Sequence, residues 1–353
     1  MTGDRPTLDT VAALAGVSRM TVSNAYNRPN QLSAATRDRV LELARQVGYP
    51  GPDPAGRSLR RRLSGTVGVL LTDRLPDAFT DPGLVAFLHG VATELSAAGQ
   101  AMLLVPGEAH QDSSPVRSAI VDAFVVCSMA ASDPALRAAL DRRLPLVTAG
   151  HPRLAGVPFV GVDNARAGAR AARHLLDLGH RRFGVVALPG RVASPSDSAV
   201  PVRLGMKERV GGFSRALAAA GLDAGALRVA EATGNTAAAG QAAGRALLQP
   251  AAGGRPTAVF AVTDVLALGV LAAAARDRIG VPHDLSVVGF DDIAEAARSR
   301  PALTTVSQSL FDQGAAAARL ALGLVAGHEV RSPRFVAELV VRDSTAAPPP
   351  ERA

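Results

Sequence analysis

Residues 7–26, TLDTVAALAGVSRMTVSNAY, constrain the fold of this chain more than any other stretch. Apolar residues recur every three or four positions from Leu8 onward, which predicts a short amphipathic helix with Thr7 as its N-cap. Gly16 then ends this helix, because glycine adopts the left-handed conformation of a sharp turn without a Cβ penalty. Ser18 is placed to cap a second helix. The stretch is therefore predicted to be two short helices joined by a tight turn.

The second helix is predicted to have an apolar inner face and a polar outer face. Val22 and Ala25 point inward, which leaves the N-terminal half of the helix exposed. Arginine can pair with guanine, asparagine with adenine, methionine can contact a thymine methyl, and hydroxyls suit phosphates, so the outer face matches the chemistry of DNA recognition. The predicted DNA contacts in this stretch are Thr7, Ser18, Arg19, Met20, Thr21, Ser23, Asn24 and Asn27. The alternative, an ordinary helical hairpin with a polar outer face, is disfavoured by the turn spacing.

The stretch resembles the helix-turn-helix of the lactose repressor (LacI/GalR) family of bacterial transcription regulators. The resemblance continues along nearly the whole chain, from about residue 7 to about residue 344. It implies a double-stranded DNA operator as a partner. Many family members carry arginine where this chain has Asn24, so the operator sequence does not follow from the resemblance.

Positive charge is concentrated at the N-terminus. Residues 1–62 contain ten arginines and five acidic residues, so they carry +5 of the net charge of +7. This is the electrostatic footprint of a phosphate-binding module. The chain has no basic-then-apolar leader and no apolar run of about 18 residues, which predicts a cytoplasmic protein without membrane contact. The single cysteine, Cys127, excludes an internal disulfide and is predicted to pack in the core.

A third helix and a proline-rich segment follow the helix-turn-helix. Ser33 is predicted to cap the third helix, which closes a small three-helix domain. The segment 50–64 is rich in proline and glycine, and a short helix is predicted within it from residue 54 to residue 61. The family resemblance implies that this is a hinge helix that orders on DNA, with Leu59 as a minor-groove wedge, and Arg57 is a further predicted contact. A plain linker is the alternative.

From residue 66 short Val- and Leu-rich runs alternate with alanine-rich segments. Such runs are typical of buried parallel strands, and the alternation predicts two doubly wound α/β halves. Five blocks, from HLLDLGHRRFGVVAL to PALTTVSQSLFDQGAAAARLAL, resemble in order the family's effector domain, which has the fold of periplasmic sugar-binding proteins. The resemblance implies discontinuous subdomains with a ligand between them. It also implies a homodimer, because the tail APPPERA lacks the helical bundle of tetrameric members.

The predicted fold class is an all-α helix-turn-helix DNA-binding domain plus hinge helix, followed by an α/β periplasmic-binding-protein-like effector domain of two doubly wound subdomains. The predicted boundaries are 1–49 for the DNA-binding domain, 50–64 for the hinge helix or linker, 65–345 for the effector-binding and dimerisation domain, and 346–353 for a disordered tail. Within the effector domain one subdomain is predicted at about 65–161 and 292–322, and the other at about 162–291 and 323–345.

Polar residues near the carboxyl ends of the predicted strands define the candidate ligand site, because open α/β sheets bind ligands there. Carboxylates accept hydroxyl protons, arginine offers a fork of donors, and an aromatic ring covers an apolar face, which together suit a sugar or a nucleoside-like ligand. The predicted effector contacts are Phe79, Asp163, Arg209, Asp264 and Asp291. For Asp163 and Asp264 a helix N-cap role is equally compatible with the sequence. The polar stretch 189–208 is predicted to be a loop at the cleft mouth, either a mobile lid or disordered.

Two other functional classes compete with a regulator. The sequence has no nucleophile elbow, phosphate loop, paired-histidine metal motif or dinucleotide fingerprint, and His180 sits at a helix end, an ordinary cap position. An enzyme, a metal and a cofactor are therefore not expected. A solute-binding sensor of the same α/β fold without operator binding is the remaining alternative, against which the basic N-terminal domain argues. The prediction is a repressor that binds a palindromic operator as a dimer and responds to a small molecule.

Overall fold

A computed structural model describes residues 6–52, 63–71, 75–107, 114–188, 204–223, 227–250 and 254–350. The chain divides into two compact units, residues 1–65 and residues 66–353. The predicted hinge helix at 54–61, with Arg57 and Leu59, lies outside the described residues. Among the helices described, none has the length and apolar character that crossing a membrane requires.

The first unit is built on three helices. They are α1 (Leu8–Ala15), α2 (Arg19–Asn27) and α3 (Ala34–Gln46), with a 3-10 turn at Pro29–Gln31. Thr7, Ser18 and Ser33 cap them through side-chain oxygens that accept backbone N–H groups, which confirms the predicted caps. Gly16 ends α1 in the left-handed conformation, with φ of 64°. The local signals in the sequence are thus sufficient to set the helix boundaries here.

The core of the first unit is small and aliphatic. Val11, Val22 and Val40, one from each helix, are fully buried, and Ala25 and Ala44 pack beside them. Burying a valine side chain contributes roughly 1.5–3 kcal/mol, so these contacts decide how the three helices meet. The inward orientation of Val22 and Ala25 confirms the predicted face of α2 and leaves its other face to solvent.

The second unit contains two sheets. The first contains β1 (Thr66–Leu71), β2 (Ala101–Pro106), β3 (Ala123–Cys127), β4 (Leu146–Ala149) and β5 (Phe159–Val160), in the order β2-β1-β3-β4-β5. The second contains β6 (Phe183–Ala187), β7 (Arg228–Glu231), β8 (Ala258–Ala261), β9 (Ser286–Asp291), β10 (Thr304–Ser307) and β11 (Glu338–Val340), in the order β11-β10-β9-β8-β6-β7. Neighbouring strands are parallel except β10 and β11.

Helices cover these sheets. They are α4 (Pro82–Ala97), α5 (Ser114–Ser118), α6 (Pro134–Asp141), α7 (Asn164–Asp177), α8 (Leu204–Ala219), α9 (Ala237–Leu248), α10 (Asp264–Arg276), α11 (Ala294–Arg298) and α12 (Leu310–Val325). A 3-10 turn also lies at Asp77–Phe79. Five of the helices begin at a side-chain N-cap, supplied by Asp81, Asp133, Asp163, Thr236 and Thr263. Each of these five helices follows a strand along the chain and starts at a capping side chain.

Two lobes result, each formed by one sheet and its helices. The first lobe holds β1 to β5 with α4, α5, α6 and α12, and the second holds β6 to β11 with α7 to α11. The described chain passes between the lobes three times, after β5, between β10 and α12, and between α12 and β11. The predicted assignment of 292–322 to the first lobe is wrong for α11 and β10, because β10 pairs with β9 in the second sheet and α11 lies between those two strands. The predicted boundary at 322 is also too early, because α12 of the first lobe extends to Val325. Strand pairing is a long-range property that the TTVS segment does not reveal by itself.

Helices within the lobes touch backbone to backbone. A Cβ atom on Gly90 of α4 would clash with the Phe311 carbonyl oxygen of α12. The same holds for Gly212 of α8, which faces the carbonyl oxygen of Ala165 in α7. Gly269 of α10 is equally close to α9. Only glycine fits at these positions, so the pairs α4–α12, α7–α8 and α9–α10 are fixed at short distance.

The predicted disordered tail at 346–353 is wrong for its first residues. Ala346 N–H donates to Ser286 Oγ at 3.0 Å, and Ala346 O accepts from His180 Nε2 at 2.9 Å. His180 is fully buried, and its Nδ1 lies 2.9 Å from Thr257 Oγ1. The buried histidine thus holds the first tail residue by a hydrogen bond and is not a simple helix cap. Burial lowers the pKa of His180, which keeps the imidazole neutral at neutral pH.

Candidate functional site

The first unit presents the N-terminal half of α2 to solvent. Met20 is 64% exposed, and Asn24, one turn beyond it, is half-buried. Arg19 Nε donates to Asp9 Oδ1 of α1 at 2.9 Å, in an ion pair of two exposed side chains. The pair uses Nε and does not require the two Nη groups, which are the donors of an end-on pair with guanine. Sequence reasoning missed Asp9 because its partner lies on the next helix.

The hydroxyl and amide contacts predicted on the first unit support the helix ends. Ser18 Oγ accepts the Thr21 N–H at 3.1 Å and lies 2.9 Å from the Thr21 hydroxyl. Thr7 caps α1 in the same way. The Asn27 amide donates to the backbone oxygen of Ser23 at 3.0 Å and to its hydroxyl at 3.3 Å. The structure therefore places Arg19, Met20 and Asn24 together on α2, a helix braced by hydrogen bonds near both of its ends.

A cavity of about 120 Å³ lies between the two lobes of the second unit. Both lobes supply its apolar wall, which includes Leu71, Leu84, Phe87, Met129, Val162, Met206 and Leu310. Its polar lining residues are Asp81, Ser128, His151, Asn164, Arg209, Asn235, Thr263, Asp291, Gln308 and Gln313. An apolar cavity with a few convergent polar groups is the usual form of a small-molecule site.

Arg209 is the central cation of the cavity. It is 7% exposed, and its guanidinium lies 3.6 Å from the centre of the Phe290 ring. Nε donates to Asn164 Oδ1 at 2.9 Å, and Nη1 donates to the backbone oxygen of Val262 at 2.6 Å. Nη1 also lies 3.4 Å from Asp291 Oδ1. The charge is thus held by several partners and by an aromatic face, which fixes its orientation.

Asp291 is the buried acid beside this arginine. Its Oδ1 accepts from the Gln308 amide at 2.6 Å, and its backbone has φ of 121°, a region that disfavours side chains other than glycine. Burial raises the pKa of Asp291 to about 7, although the positive charge of Arg209 acts in the opposite direction. A strained, buried carboxyl with a raised pKa in a cavity is a feature of functional sites.

A hydrogen bond between Asp81 and Asn235 joins the lobes across the cavity. Asp81 caps α4 in the first lobe, where its Oδ1 accepts the Gly83 N–H at 2.9 Å. Its Oδ2 accepts from the Asn235 amide of the second lobe at 2.9 Å. Asn235 Oδ1 in turn accepts from the Thr263 hydroxyl at 2.7 Å. The separation of the lobes at this edge is therefore set by a bond between charged and polar side chains.

His151 follows β4 and faces the same cavity. Its Nε2 is buried and has no hydrogen-bond partner among the described residues. The nearest acid is Glu208, whose Oε2 lies 3.7 Å away. Burial, with the positive charges of Arg209 and Arg153, lowers the pKa of His151 to about 4. The imidazole is neutral at neutral pH, and its buried nitrogen is available to a ligand.

Known proteins resemble this chain over both units. Residues 7–51 match the bacterial regulatory proteins of the lacI family, and residues 172–345 match the periplasmic binding protein-like domain. The regulator IpsA of Corynebacterium glutamicum is 40% identical over 318 residues, which are 86% of each chain. The chain belongs to the LacI family of bacterial regulatory proteins. It is therefore a helix-turn-helix transcription regulator, as predicted.

Two solved structures place this LacI-family chain among its relatives. The complex of the regulator CelR with cellobiose is 31% identical with a TM-score of 0.67, and the match covers 96% of this chain and all of that one. The lac repressor dimer bound to operator and the anti-inducer ONPF has the same fold, with a TM-score of 0.79 and 22% identity over 98% of this chain. The predicted fold class is thus confirmed.

Two of the five predicted effector contacts, Arg209 and Asp291, line the cavity between the lobes. Asp163 instead caps α7 by accepting the Arg166 N–H at 2.9 Å and is exposed. Phe79 is 66% exposed and does not line the cavity. A capping carboxylate and an exposed ring look like ligand contacts in a sequence, because only the three-dimensional fold shows which way each side chain points.

Asp264 is the third predicted effector contact that does not line the cavity. It is fully buried away from the cavity, where its Oδ1 accepts from the Thr305 hydroxyl at 2.5 Å and its Oδ2 from the Ile293 N–H at 2.9 Å. The cap of α10 is Thr263 rather than Asp264. Burial raises the pKa of Asp264 to about 6. Asp264 therefore ties α10 to β10 and to Ile293, just beyond the end of β9.

The predicted loop 189–208 and the start of the following helix also change. Helix α8 begins at Leu204, so Arg209 lies in its second turn and the loop prediction is wrong for residues 204–208. Residues 189–203 lie outside the described part of the chain. Because α8 begins this early, its residues Gly205 and Met206 also line the cavity.

The remaining polar lining residues were missed by sequence reasoning. Ser128 and Gln308 directly follow β3 and β10, and His151 is the second residue after β4, so a strict application of the rule for strand ends would have found them. Asn164 and Asn235 gave no signal of that kind. Cys127 is half-buried, packs against the first-lobe core and lines the cavity, so it is not fully in the core as predicted.

Proposed function

We propose that this regulator is a cytoplasmic repressor that binds a palindromic operator as a homodimer. The exposed face of α2, with Arg19, Met20 and Asn24, reads bases, and the hydroxyls of the N-cap Ser18 and of Thr21 contact phosphates. Thr7, Ser23, Asn27, Arg57 and Leu59 complete the proposed DNA contacts. The basic N-terminal region supports this proposal through its attraction for the phosphate backbone.

We further propose that a carbohydrate or nucleoside-like effector binds in the cavity and changes operator affinity. One observation carries this proposal: the cavity is lined by both lobes, and the Asp81–Asn235 bond spans it. A ligand there contacts both lobes, so its binding free energy differs between arrangements of the lobes. The cellobiose complex of CelR supports a sugar-like ligand.

A selection with genomic DNA tests the DNA-binding proposal. Purified full-length protein is mixed with fragmented DNA from its own source, and the bound fragments are sequenced. We expect an enriched palindrome with a central pyrimidine–purine step, because such steps kink most easily. A lack of enrichment, both alone and with candidate sugars and nucleosides added, would contradict operator binding and favour a sensor without DNA activity.

A further inference from the structure

The charge inside the cavity restricts the chemistry of the effector, given the proposed function. The described lining residues include two acids, Asp81 and Asp291, and one cation, Arg209. Arg209 already lies beside Asp291 and donates to two other oxygens. Asp81 receives donors on both of its oxygens. The described part of the lining therefore offers no surplus positive charge, so a phosphate or carboxylate group there would meet like charges in a medium of low dielectric constant.

His151 does not supply the missing cation. Its imidazole is held neutral by burial and by two nearby arginines. Arg153 is exposed and stacks 3.8 Å from the centre of the Phe159 ring, and it is not among the cavity-lining residues. The other charged group close to His151 is the acid Glu208, at 3.7 Å. The buried Nε2 of a neutral histidine pairs well with a hydroxyl, which can either donate to it or accept from it.

We propose that the effector is an uncharged, hydroxyl-bearing molecule, that His151 Nε2 binds one of its hydroxyls, and that the phosphorylated form of the same molecule is rejected. The proposal names the ligand class of the cavity and rests on the proposed function. Two further polar residues of the lining, Asp291 and Gln308, give the remaining hydroxyls their partners. His151 is thereby a specificity residue of this chain.

Fractionated metabolites test the charge of the effector. A polar extract of the source cells is split by anion exchange into a flow-through and a retained anionic fraction, and each is added to the full-length protein. The readouts are the melting temperature of the protein and, by fluorescence anisotropy, its affinity for the selected operator. We expect the flow-through to shift the melting temperature and to change operator affinity at least about tenfold. The retained fraction is expected to act only after treatment with phosphatase.

Activity confined to the untreated retained fraction would overturn the inference while leaving the regulator proposal intact. If neither fraction moves either readout, both the inference and the proposed ligand response fail. A shift in melting temperature without any operator binding would instead remove the DNA-binding proposal alone. The two readouts thus separate the possible failures.

Two matched histidine variants test the proposed contact. His151→Ala is expected to weaken the response to the flow-through about tenfold, because a buried hydroxyl then loses its partner. His283→Ala removes an exposed histidine outside the cavity and is expected to respond like the parent protein. His151→Gln keeps a hydrogen-bonding amide and is expected to recover part of the response, which a purely structural role would not require. An equal response of His151→Ala and His283→Ala would overturn the contact.

Discussion

The helix-turn-helix and the cavity between the lobes use the same pair of residue types, arginine and aspartate, in opposite ways. Arg19 and Asp9 form their ion pair with 69% and 60% of the side chains exposed, whereas Arg209 and Asp291 lie together at 9% and 11% exposure. An exposed pair contributes about 0–1 kcal/mol and is readily exchanged for another partner. A buried pair is costly to break. The first pair is therefore suited to meet a new partner, and the second to hold a fixed shape around one.

The largest loss of effector affinity is expected when the buried arginine of the cavity, Arg209, is removed. Arg209→Ala leaves Asp291 without its cation and Asn164 without a donor. Truncating one partner of a buried charge pair costs about 2–5 kcal/mol of binding free energy. Effector affinity should fall by at least about 30-fold, as measured by calorimetric titration with the active metabolite fraction. Arg215→Ala, which truncates an exposed arginine on the same helix, is the matched control. Unchanged affinity in the Arg209 variant would show that the ligand binds elsewhere.

A smaller effect, on operator recognition, is expected for substitutions on α2. Asn24→Ala should lose about 1–3 kcal/mol of discrimination at one operator position and keep the preferences elsewhere. Thr21→Ala should weaken binding to all sequences alike, because its proposed partner is a phosphate. Selection from a random operator library followed by sequencing distinguishes the two. Identical base preferences for Asn24→Ala and the parent would remove Asn24 from base reading.

The buried acid outside the cavity gives a pH test. Because the pKa of Asp264 is raised from 3.8 to about 6, the folded state binds this proton more tightly than the unfolded state. Its contribution to stability is therefore lost as pH rises from about 4 to about 6. Asp264→Asn removes this dependence, since the Thr305 hydroxyl can turn to accept from the new amide while Ile293 N–H keeps an oxygen.

The expected result is a gain in melting temperature for Asp264→Asn at pH 8 relative to the parent, and a smaller gain or none at pH 5. The difference is expected to be a few degrees, since about 1 kcal/mol moves the Tm of a domain of 150–250 residues by roughly 2–4 °C. Comparison with the parent at each pH cancels the opposite effect of His151, His174 and His180, whose pKa values are lowered by burial. A pH-independent difference would contradict the raised pKa.

The smallest effect is expected for the exposed acid. Asp9→Asn frees Arg19 to sample more rotamers, so the preference at its base pair should weaken by about twofold to fivefold, the range of an exposed ion pair. Thermal stability should not change measurably. Operator variants at the guanine position, titrated at low and at high salt, measure the effect. Full retention of the preference would mean that Arg19 is ordered by DNA alone.

The difference between the two regions also explains which features could be predicted from the sequence. The first unit follows from signals within a few residues of each other, such as Thr7, Gly16 and Ser18, so its helices and exposed face are predicted well. The cavity is assembled from segments up to about 240 residues apart, as Leu71 and Gln313 show. Arg209 and Asp291 were found because they lie at a strand end or in a helix beside one. Asp163 and Asp264 lie at strand ends too, but one caps a helix and the other faces the core.

The backbone contacts between paired helices leave the second unit with few internal degrees of freedom. Because a Cβ atom at Gly90, Gly212 or Gly269 would clash with the neighbouring helix, the paired helices of each lobe are in close backbone contact. We therefore expect effector binding to move one lobe against the other about the three places where the chain passes between them, rather than to loosen the helices within a lobe. Such a response is a choice between two arrangements rather than a graded swelling of the molecule.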